Sequence, residues 1–197
     1  MAKLYFFYGA MGSSKSANAL MVEYNYRERG QKVLLAKTNI DTRDGVNLIH
    51  SRIGLSRECV LLSDVCSMKD EDILAYDAVI VDEIQFAKTE EVDFLAHIVD
   101  DLNVPVMCYG LRSDFQSHLF EGSRRILEIC DEIKEIKTMC WCGRKATCNA
   151  RYNANGIVRE GAQVMLGAND EYIALCRKHF NEGKLHREIN EPVGLTD

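Results

Sequence analysis

Hydrophobic residues in the first two-thirds of the chain fall into short, nearly continuous runs that are separated by longer amphipathic stretches. The runs, given with their first residues, are KLYFFY (Lys3), KVLLAKT (Lys32), ECVLLSD (Glu58), DAVIVDE (Asp77) and VPVMCYG (Val104). Runs of this length without polar alternation are typical of strands buried on both faces of a parallel sheet. The pattern therefore predicts five sheet strands.

Two of the intervening stretches have the period and the boundary signals of helices. Residues 15–29 form the first, and Gly30 is a suitable C-terminal stop. The second lies in TEEVDFLAHIVDDL, where Thr89 is the predicted cap. Its predicted buried face consists of Val92, Leu95, Val99 and Leu102. Strands that alternate with helices predict an α/β fold, with a parallel sheet flanked by helices on both faces.

Composition narrows the class of protein further. The net charge is −6 without a basic block, which argues against extended binding to a nucleic-acid polymer and leaves single nucleotides as ligands. No apolar run reaches the ~20 residues of a membrane-spanning helix, and the N-terminal run is typical of a strand rather than a signal peptide. We therefore expect a cytoplasmic protein with no membrane partner, whose eight cysteines are thiols or metal ligands.

Residues 9–16, GAMGSSKS, have almost the spacing of a phosphate-binding loop, G-x-x-x-x-G-K-[ST]. They lie between a predicted strand and a predicted helix, as such a loop requires. Backbone N–H groups would face the phosphates of a nucleotide, Lys15 would neutralise them, and the Ser16 hydroxyl would hold Mg²⁺. The alternative interpretation is a glycine turn followed by a helix with an unrelated lysine.

Ser14 stands where this pattern has its second glycine. Glycine permits a backbone conformation, or a close approach of phosphate, that a Cβ hinders. Holding serine in a sparsely populated conformation costs ~1–3 kcal/mol, which a folded domain tolerates. We therefore interpret the loop as weakened but still able to bind phosphate.

A pair of carboxylates ends the run AVIVDE. Because ligands of parallel sheets gather beyond the carboxyl ends of the strands, Asp82 is expected near Gly9 and Gly110. An aspartate in this position is typical of the Mg²⁺-linked residue of phosphate-loop hydrolases and kinases. Glu83 follows it and is suited to accept a proton from an attacking hydroxyl.

The C-terminal third contains a candidate metal site. Cys140 and Cys142 form a C-x-C pair, and Cys176 and His179 form C-x-x-H. Three sulfurs and one imidazole complete the tetrahedral set of a structural zinc ion. Ordinary buried cysteines are the alternative, and Cys148 could replace Cys140 as a ligand.

The metal motif and the phosphate loop suggest a division of the chain. From Lys137 onward, cysteines cluster around short strand-like pieces, with an Asn-Gly turn at residues 155–156. We predict a nucleotide-binding domain at 1–136, a small zinc-binding domain at 137–182 and a frayed tail at 183–197.

Several segments together resemble one family, the zinc-containing (type II) thymidine kinases of animal cytosol and many bacteria. They are GAMGSSKS, DTR at residues 41–43, VDEIQF, YGLRSDF, CWCGRKA, EGAQVMLG and YIALCRKH. The order and spacing of these segments are specific to the family, and the C-x-C form matches a bacterial branch. The resemblance covers the chain to about Phe180.

The resemblance implies ATP-dependent phosphorylation of thymidine, and possible use of deoxyuridine, with Glu83 as the general base on the 5′-hydroxyl. On the ATP side it implies Gly9, Ala10, Met11, Gly12, Ser13, Ser14, Lys15, Ser16, Asp41, Thr42, Arg43, Asp82, Glu83, Ile84 and Gln85. On the nucleoside side it implies Phe115, Gln163, Val164, Met165, Leu166, Gly167 and Tyr172, where Phe115 packs on the base and 163–167 form a closing lasso. It also implies a homotetramer that thymidine triphosphate inhibits.

Two departures from the family pattern leave another function open. Ser14 replaces a glycine, and Ala168 replaces the second glycine of a pair in the lasso. The alternative is a paralogue that binds nucleotide or nucleoside without phosphorylation and acts as a sensor. A zinc ribbon that contacts nucleic acid is disfavoured by the acidic charge.

Overall fold

A computed structural model describes residues 1–39, 47–164 and 171–186 of the chain. The strands are β1 (Leu4–Tyr8), β2 (Val33–Lys37), β3 (Leu48–His50), β4 (Ser56–Glu58), β5 (Val60–Leu61), β6 (Ala78–Asp82), β7 (Val106–Gly110), β8 (Glu132–Glu135), β9 (Cys148–Asn153), β10 (Gly156–Ile157) and β11 (Glu171–Leu175). The helices are α1 (Lys15–Glu28), α2 (Leu62–Val65), α3 (Asp70–Ile73), α4 (Thr89–Asp100), α5 (Glu121–Ile129) and α6 (Arg177–Glu182), with a 3₁₀ turn at Ile84–Phe86.

Six parallel strands form the main sheet in the order β5-β2-β6-β7-β1-β8. The register places Tyr8 opposite Gly110 and Lys37 opposite Asp82. The carboxyl ends of β1, β2, β6 and β7 therefore meet at one edge of the sheet. The phosphate-loop segment and the two carboxylates follow these ends directly, so the topology brings them together.

Successive side chains of the central strands point to opposite faces of the sheet, and each face has its own apolar core. Leu34 joins the core beneath α4 and α5, whereas Leu35 joins the core beneath α1. Ala78 and Ile80 likewise pack on the α1 side. The α/β class with a parallel sheet flanked by helices is therefore confirmed.

Two sequence expectations, one for a strand and one for a helix, need correction. The third predicted strand is only Val60–Leu61, since α2 begins at Leu62. Thr89 does not cap α4; its hydroxyl donates to Glu121 at 3.0 Å, and the N–H of Lys88 donates to Glu91 at 2.8 Å. Long-range contact with the next helix thus replaces the local cap that the sequence suggested.

The other helix predictions agree with the structure closely. Helix α1 ends at Glu28, and Gly30 has the left-handed φ of +74° that a helix stop uses. Val92, Leu95 and Val99 are buried on α4, whereas Leu102 lies beyond the helix end and is half-buried. Among the described residues, no helix has both the length and the apolar character that a bilayer span requires.

A second, antiparallel sheet in the order β10-β9-β11 follows the main one. The predicted Asn-Gly turn joins β9 to β10, and Gly156 has a φ of +104° there. A small separate core lies on this sheet; its buried members are Cys140, Ala146, Cys148, Ala150, Leu175, Cys176 and Phe180. The predicted domain boundaries stay a prediction, but this sheet and core account for the change in sequence character near Lys137.

Candidate active site

The loop between β1 and α1 is built around Gly9. A Cβ on Gly9 would lie 2.3 Å from the carbonyl oxygen of Ile136 and 2.4 Å from Oγ of Ser13. No other residue fits without a shift of the backbone. Gly12 has a φ of +74°, a conformation that L side chains rarely adopt. Both glycines of the loop, Gly9 and Gly12, therefore have a structural reason.

Ser14 adopts the backbone conformation that a glycine would adopt at this position of the motif. Its φ and ψ are 60° and 33°, the left-handed region, and its side chain makes no cap hydrogen bond. The residue is exposed. The loop thus keeps the glycine-type conformation at a cost of ~1–3 kcal/mol.

We expect Ser14→Gly to change the dissociation constant of ATP by less than about threefold, because the serine already has the required backbone. Relief of backbone strain stabilises the folded state of Ser14→Gly, whereas the added freedom of glycine stabilises its unfolded chain. These two effects oppose each other, so the melting temperature should change little. Ser14→Val is the contrasting variant, since a branched side chain opposes left-handed backbone, and it should weaken binding by about tenfold. Calorimetric titration measures both; tenfold tighter binding by the glycine variant would contradict this account.

Lys15 begins α1 and folds back over the loop. Its Nζ donates to the carbonyl oxygens of Gly9 (3.2 Å) and Ala10 (3.0 Å) and to the hydroxyl of Ser13 (3.3 Å). Burial lowers the pKa of Lys15, while the nearby carboxylates of Glu83 and Asp82 oppose that shift. A buried cation is therefore held against the loop, where an anion would bind.

Asp82 ends β6 and is 3% exposed. It accepts hydrogen bonds from the Ser16 hydroxyl and, at 3.0 Å, from the N–H of Glu83. Burial raises its pKa from 3.8 to about 7, and the adjacent Glu83 carboxylate adds to the shift. Ser16 and Asp82 thus form the hydroxyl–carboxylate pair that the sequence predicted for Mg²⁺.

The raised pKa of Asp82 gives a pH-dependent stability that Asp82→Asn should reveal. A carboxyl whose folded pKa is raised favours folding below its ordinary pKa and loses that contribution as the pH rises through the folded value. The neutral asparagine avoids this loss. We therefore expect the melting temperature of Asp82→Asn to exceed that of the parent by an amount that grows from about pH 4 to about pH 7.

Asp100→Asn makes the same change from carboxyl to amide at an exposed position on α4 and is the matched control. Thermal melts without nucleotide across this range measure the effect. The same pH-independent difference for both variants would show that burial does not control the titration of Asp82.

Glu83 also has left-handed backbone, with a φ of 56°, and directly precedes the 3₁₀ turn. The amide nitrogen of Gln85 donates to its carboxylate, and Oε1 of Gln85 accepts the N–H of Leu111 at 2.9 Å. The hydroxyl of Thr38 donates to the Glu83 carbonyl at 3.1 Å. Ser14 and Glu83, both with left-handed backbone, thus flank one site. Gln85 orients the Glu83 carboxylate, and the sequence did not reveal this contact.

Phe115 lies in the loop after β7 and is 1% exposed. The guanidinium carbon of Arg151 lies 3.6 Å from the centroid of its ring. One face of Phe115 is therefore covered by an arginine from β9, so a nucleoside base would have to contact the remainder of the ring. No pattern in the sequence indicated this arginine.

The start of the predicted lasso contacts the same loop. Nε2 of Gln163 donates to Oδ2 of Asp114 at 2.8 Å and to the carbonyl of Leu119 at 3.4 Å. Val164 and Tyr172 are half-buried, and Tyr172 lies on β11. Six further predicted residues lie outside the described part of the chain: Asp41, Thr42, Arg43, Met165, Leu166 and Gly167.

The four predicted metal ligands come together. One ligand atom from each of Cys140, Cys142, Cys176 and His179 lies within 4.8 Å of the others. Sγ of Cys140 is 3.4 Å from Nδ1 of His179, and the sulfurs of Cys142 and Cys176 are 4.0 Å apart. Tetrahedral zinc, with Zn–S of ~2.3 Å, requires separations of roughly 3.5–3.8 Å. The donor set and its spacing therefore fit zinc.

Neighbouring groups favour the binding of a cation by this cluster. The indole of Trp141 stacks on the His179 ring, with 4.1 Å between centroids and 4° between planes. The backbone N–H of Arg144 holds the pKa of the Cys142 thiol below its usual value, which favours the thiolate that binds metal. Among the described residues, Cys148 lies outside the cluster, which consists of the four residues that the sequence predicted as ligands.

The fold and the site define a phosphate-loop α/β protein with an added Cys₃His metal unit. The sequence profile of the thymidine kinase family matches residues 2–180. Three relatives named "Thymidine kinase" each match 92% of this chain and 97% of their own: those of Zymomonas mobilis (47% identical), Haemophilus influenzae (45%) and Enterobacteria phage T4 (47%). The chain belongs to the thymidine kinase family.

Proposed function

We propose that this protein transfers the γ-phosphoryl group of ATP to the 5′-hydroxyl of thymidine. The observation that carries the proposal is the meeting of three groups at one edge of the sheet: the Lys15 ammonium, the Ser16–Asp82 pair and the oriented carboxylate of Glu83. Membership of the thymidine kinase family supports the choice of substrate.

ATP would lie with its phosphates against the loop at residues 9–16. Phosphoryl transfer needs positioning and charge neutralisation more than covalent help. Lys15 would exchange its loop carbonyls for phosphate oxygens, so its charge acts where negative charge develops. Ser16 and Asp82 would hold Mg²⁺, which supplies further neutralisation of the phosphates.

The Glu83 carboxylate would accept the proton of the thymidine 5′-hydroxyl as the bond from the 5′-oxygen to the γ-phosphorus forms. The bond from the γ-phosphorus to the bridging oxygen breaks in the same step, and ADP leaves. Gln85 donates a hydrogen bond to this carboxylate and is itself held by the N–H of Leu111. The nucleoside would lie between Phe115 and the segment that begins at Gln163, and Tyr172 would be a further contact. Main-chain hydrogen bonds to the edge of the base would supply most of the selectivity.

The Cys₃His cluster would hold a structural zinc ion, because its four ligands leave no position for water. We also propose, on the family resemblance alone, a homotetramer that thymidine triphosphate inhibits and that acts in the cytoplasm. Size-exclusion chromatography with light scattering tests the first of these properties, and inhibition of ATP-dependent turnover tests the second.

A panel of nucleosides tests the assignment of substrate. Purified protein is incubated with ATP, Mg²⁺ and each of thymidine, deoxyuridine, deoxycytidine and deoxyguanosine, and monophosphates are quantified by chromatography. We expect thymidine to give the highest kcat/KM, with deoxyuridine as the only close competitor. Equal or greater turnover of a purine nucleoside would contradict the proposal.

A further inference from the structure

The side chain of Asn149, on β9, joins the small sheet to two parts of the candidate active site. Its Oδ1 accepts the N–H of Met11 in the phosphate loop, at 2.8 Å. Its Nδ2 donates to the carbonyl of Ser113, at 2.8 Å. The residue is 4% exposed. Two backbone segments that are about a hundred residues apart are thus held by one amide.

The bond to the Ser113 carbonyl is buried, and the bond to the Met11 N–H is partly buried. A buried backbone N–H or carbonyl that loses its partner is left unsatisfied, which costs more than the bond itself contributes. A side-chain amide offers an acceptor at its oxygen and a donor at its nitrogen. Asparagine is therefore matched to this pair of partners, an N–H from Met11 and a carbonyl from Ser113.

The two segments carry the two halves of the proposed reaction. Met11 lies in the loop that would hold the ATP phosphates, between Gly9 and Gly12. Ser113 directly precedes Asp114 and Phe115, and Asp114 accepts the hydrogen bond of Gln163 from the lasso segment. A shift of Asn149 would therefore move the phosphate loop relative to the nucleoside side.

The metal cluster fixes the position of Asn149 through the strands. Asn149 is paired with Ala174 in the small sheet, and β11 runs from there through Leu175 to Cys176 of the cluster. On the other side, a tight turn ties Cys140 to Gly143 before the chain enters β9. The sheet that the metal unit anchors thus presents the amide to the loop.

We propose that Asn149 is a positioning residue that holds the phosphate loop and the Ser113 segment in one geometry. This inference rests on the proposed function for the reaction that it serves, but binding of nucleotide alone can test it. Asn149 does not touch the reacting atoms; it acts through Met11 and Ser113.

The test compares Asn149→Leu, which keeps the number and branching of the side-chain heavy atoms and removes both hydrogen bonds, with Leu175→Ala. Leu175 is fully buried in the small core, so its truncation destabilises the same sheet and leaves the Asn149 bonds in place. We expect Asn149→Leu to raise the dissociation constant of a non-hydrolysable ATP analogue with Mg²⁺ about tenfold. Leu175→Ala should lower the melting temperature but change this constant less than threefold.

Asn149→Asp tests the two hydrogen bonds separately, and it replaces Asn149→Leu in the test if that variant does not fold. The carboxylate keeps an acceptor for Met11 and loses the donor to Ser113. We expect ATP-analogue affinity within about threefold of the parent and thymidine affinity weaker by about tenfold. Equal loss of both affinities, or an Asn149→Leu variant that behaves like Leu175→Ala, would overturn the proposal.

The outcomes distinguish this proposal from the proposed function. If the parent protein binds the ATP analogue but phosphorylates no nucleoside, the proposed function is wrong. The analogue titrations would still decide the role of Asn149. Normal thymidine phosphorylation with unchanged analogue affinity in Asn149→Leu would remove the positioning role alone.

Discussion

Glu83→Gln should lower the turnover number for thymidine at least ~100-fold, since general-base assistance contributes typically 10²–10⁴-fold. Glutamine has the shape of glutamate and can still hydrogen-bond to Gln85, but it cannot accept the proton of the 5′-hydroxyl. Thymidine and ATP should therefore bind almost as they do to the parent. Steady-state kinetics give the turnover number, and calorimetry gives the two dissociation constants.

Glu90→Gln is the matched control for this variant, because Glu90 is an exposed glutamate on α4. Its turnover number should equal that of the parent. Turnover by Glu83→Gln within about threefold of the parent would show that another group accepts the proton. A large loss of nucleotide affinity instead would assign Glu83 to binding rather than to proton transfer.

Loss of the metal should have the second large effect. Structural zinc sites contribute apparent free energies of ~10–16 kcal/mol in zinc-finger peptides, far more than the small core around Leu175 and Phe180 would supply. We expect one zinc ion per chain by elemental analysis. A chelator should lower the melting temperature and make the sheet of β9, β10 and β11 sensitive to protease.

Two cysteine variants test the ligand set directly. Cys176→Ser removes one cluster ligand and should lose the bound zinc, whereas Cys148→Ser alters a buried thiol outside the cluster and should retain it. Zinc retained in Cys176→Ser, or lost in Cys148→Ser, would contradict the ligand assignment. Full stability of the metal-free protein would show that the cluster is not a structural metal site.

The parts of the site that could be predicted from sequence are those fixed by local patterns. An apolar run followed by G-x-x-x-x-x-K-S predicts a strand, a loop and a helix, and the loop at residues 9–16 follows β1 directly. Asp82 was placed correctly because it ends an apolar run, and parallel strands end at one edge. The Cys₃His cluster followed from donor chemistry alone.

The parts that could not be predicted depend on contacts between distant segments. Strand β8 is polar in sequence, and it is a strand because β1 offers it a free edge. Thr89 fits a cap by type, but the side chain of Glu121 lies beside it. The contacts of Gln85 with Leu111, of Asn149 with Met11 and Ser113, and of Arg151 with Phe115 likewise join distant segments, which spacing along one segment does not reveal.

Ser14 shows how the fold can override a residue preference. The sequence identified a side chain where a glycine is expected, and it left open whether the loop conformation would survive. The left-handed φ of 60° is held by the surrounding structure, including the bond from the Asn18 N–H to the Ser14 carbonyl at 3.0 Å. The departure from the family pattern therefore changes a side chain rather than the shape of the loop.

The measurement that tests the central claim most directly follows the transferred group itself. Purified protein is incubated with thymidine, Mg²⁺ and ATP labelled at the γ-phosphorus, and the label is traced over time. The account predicts that label appears on the 5′-oxygen of thymidine in an amount equal to the ADP formed. Label that stays in ATP, or is released as inorganic phosphate while thymidine is unchanged, would contradict it.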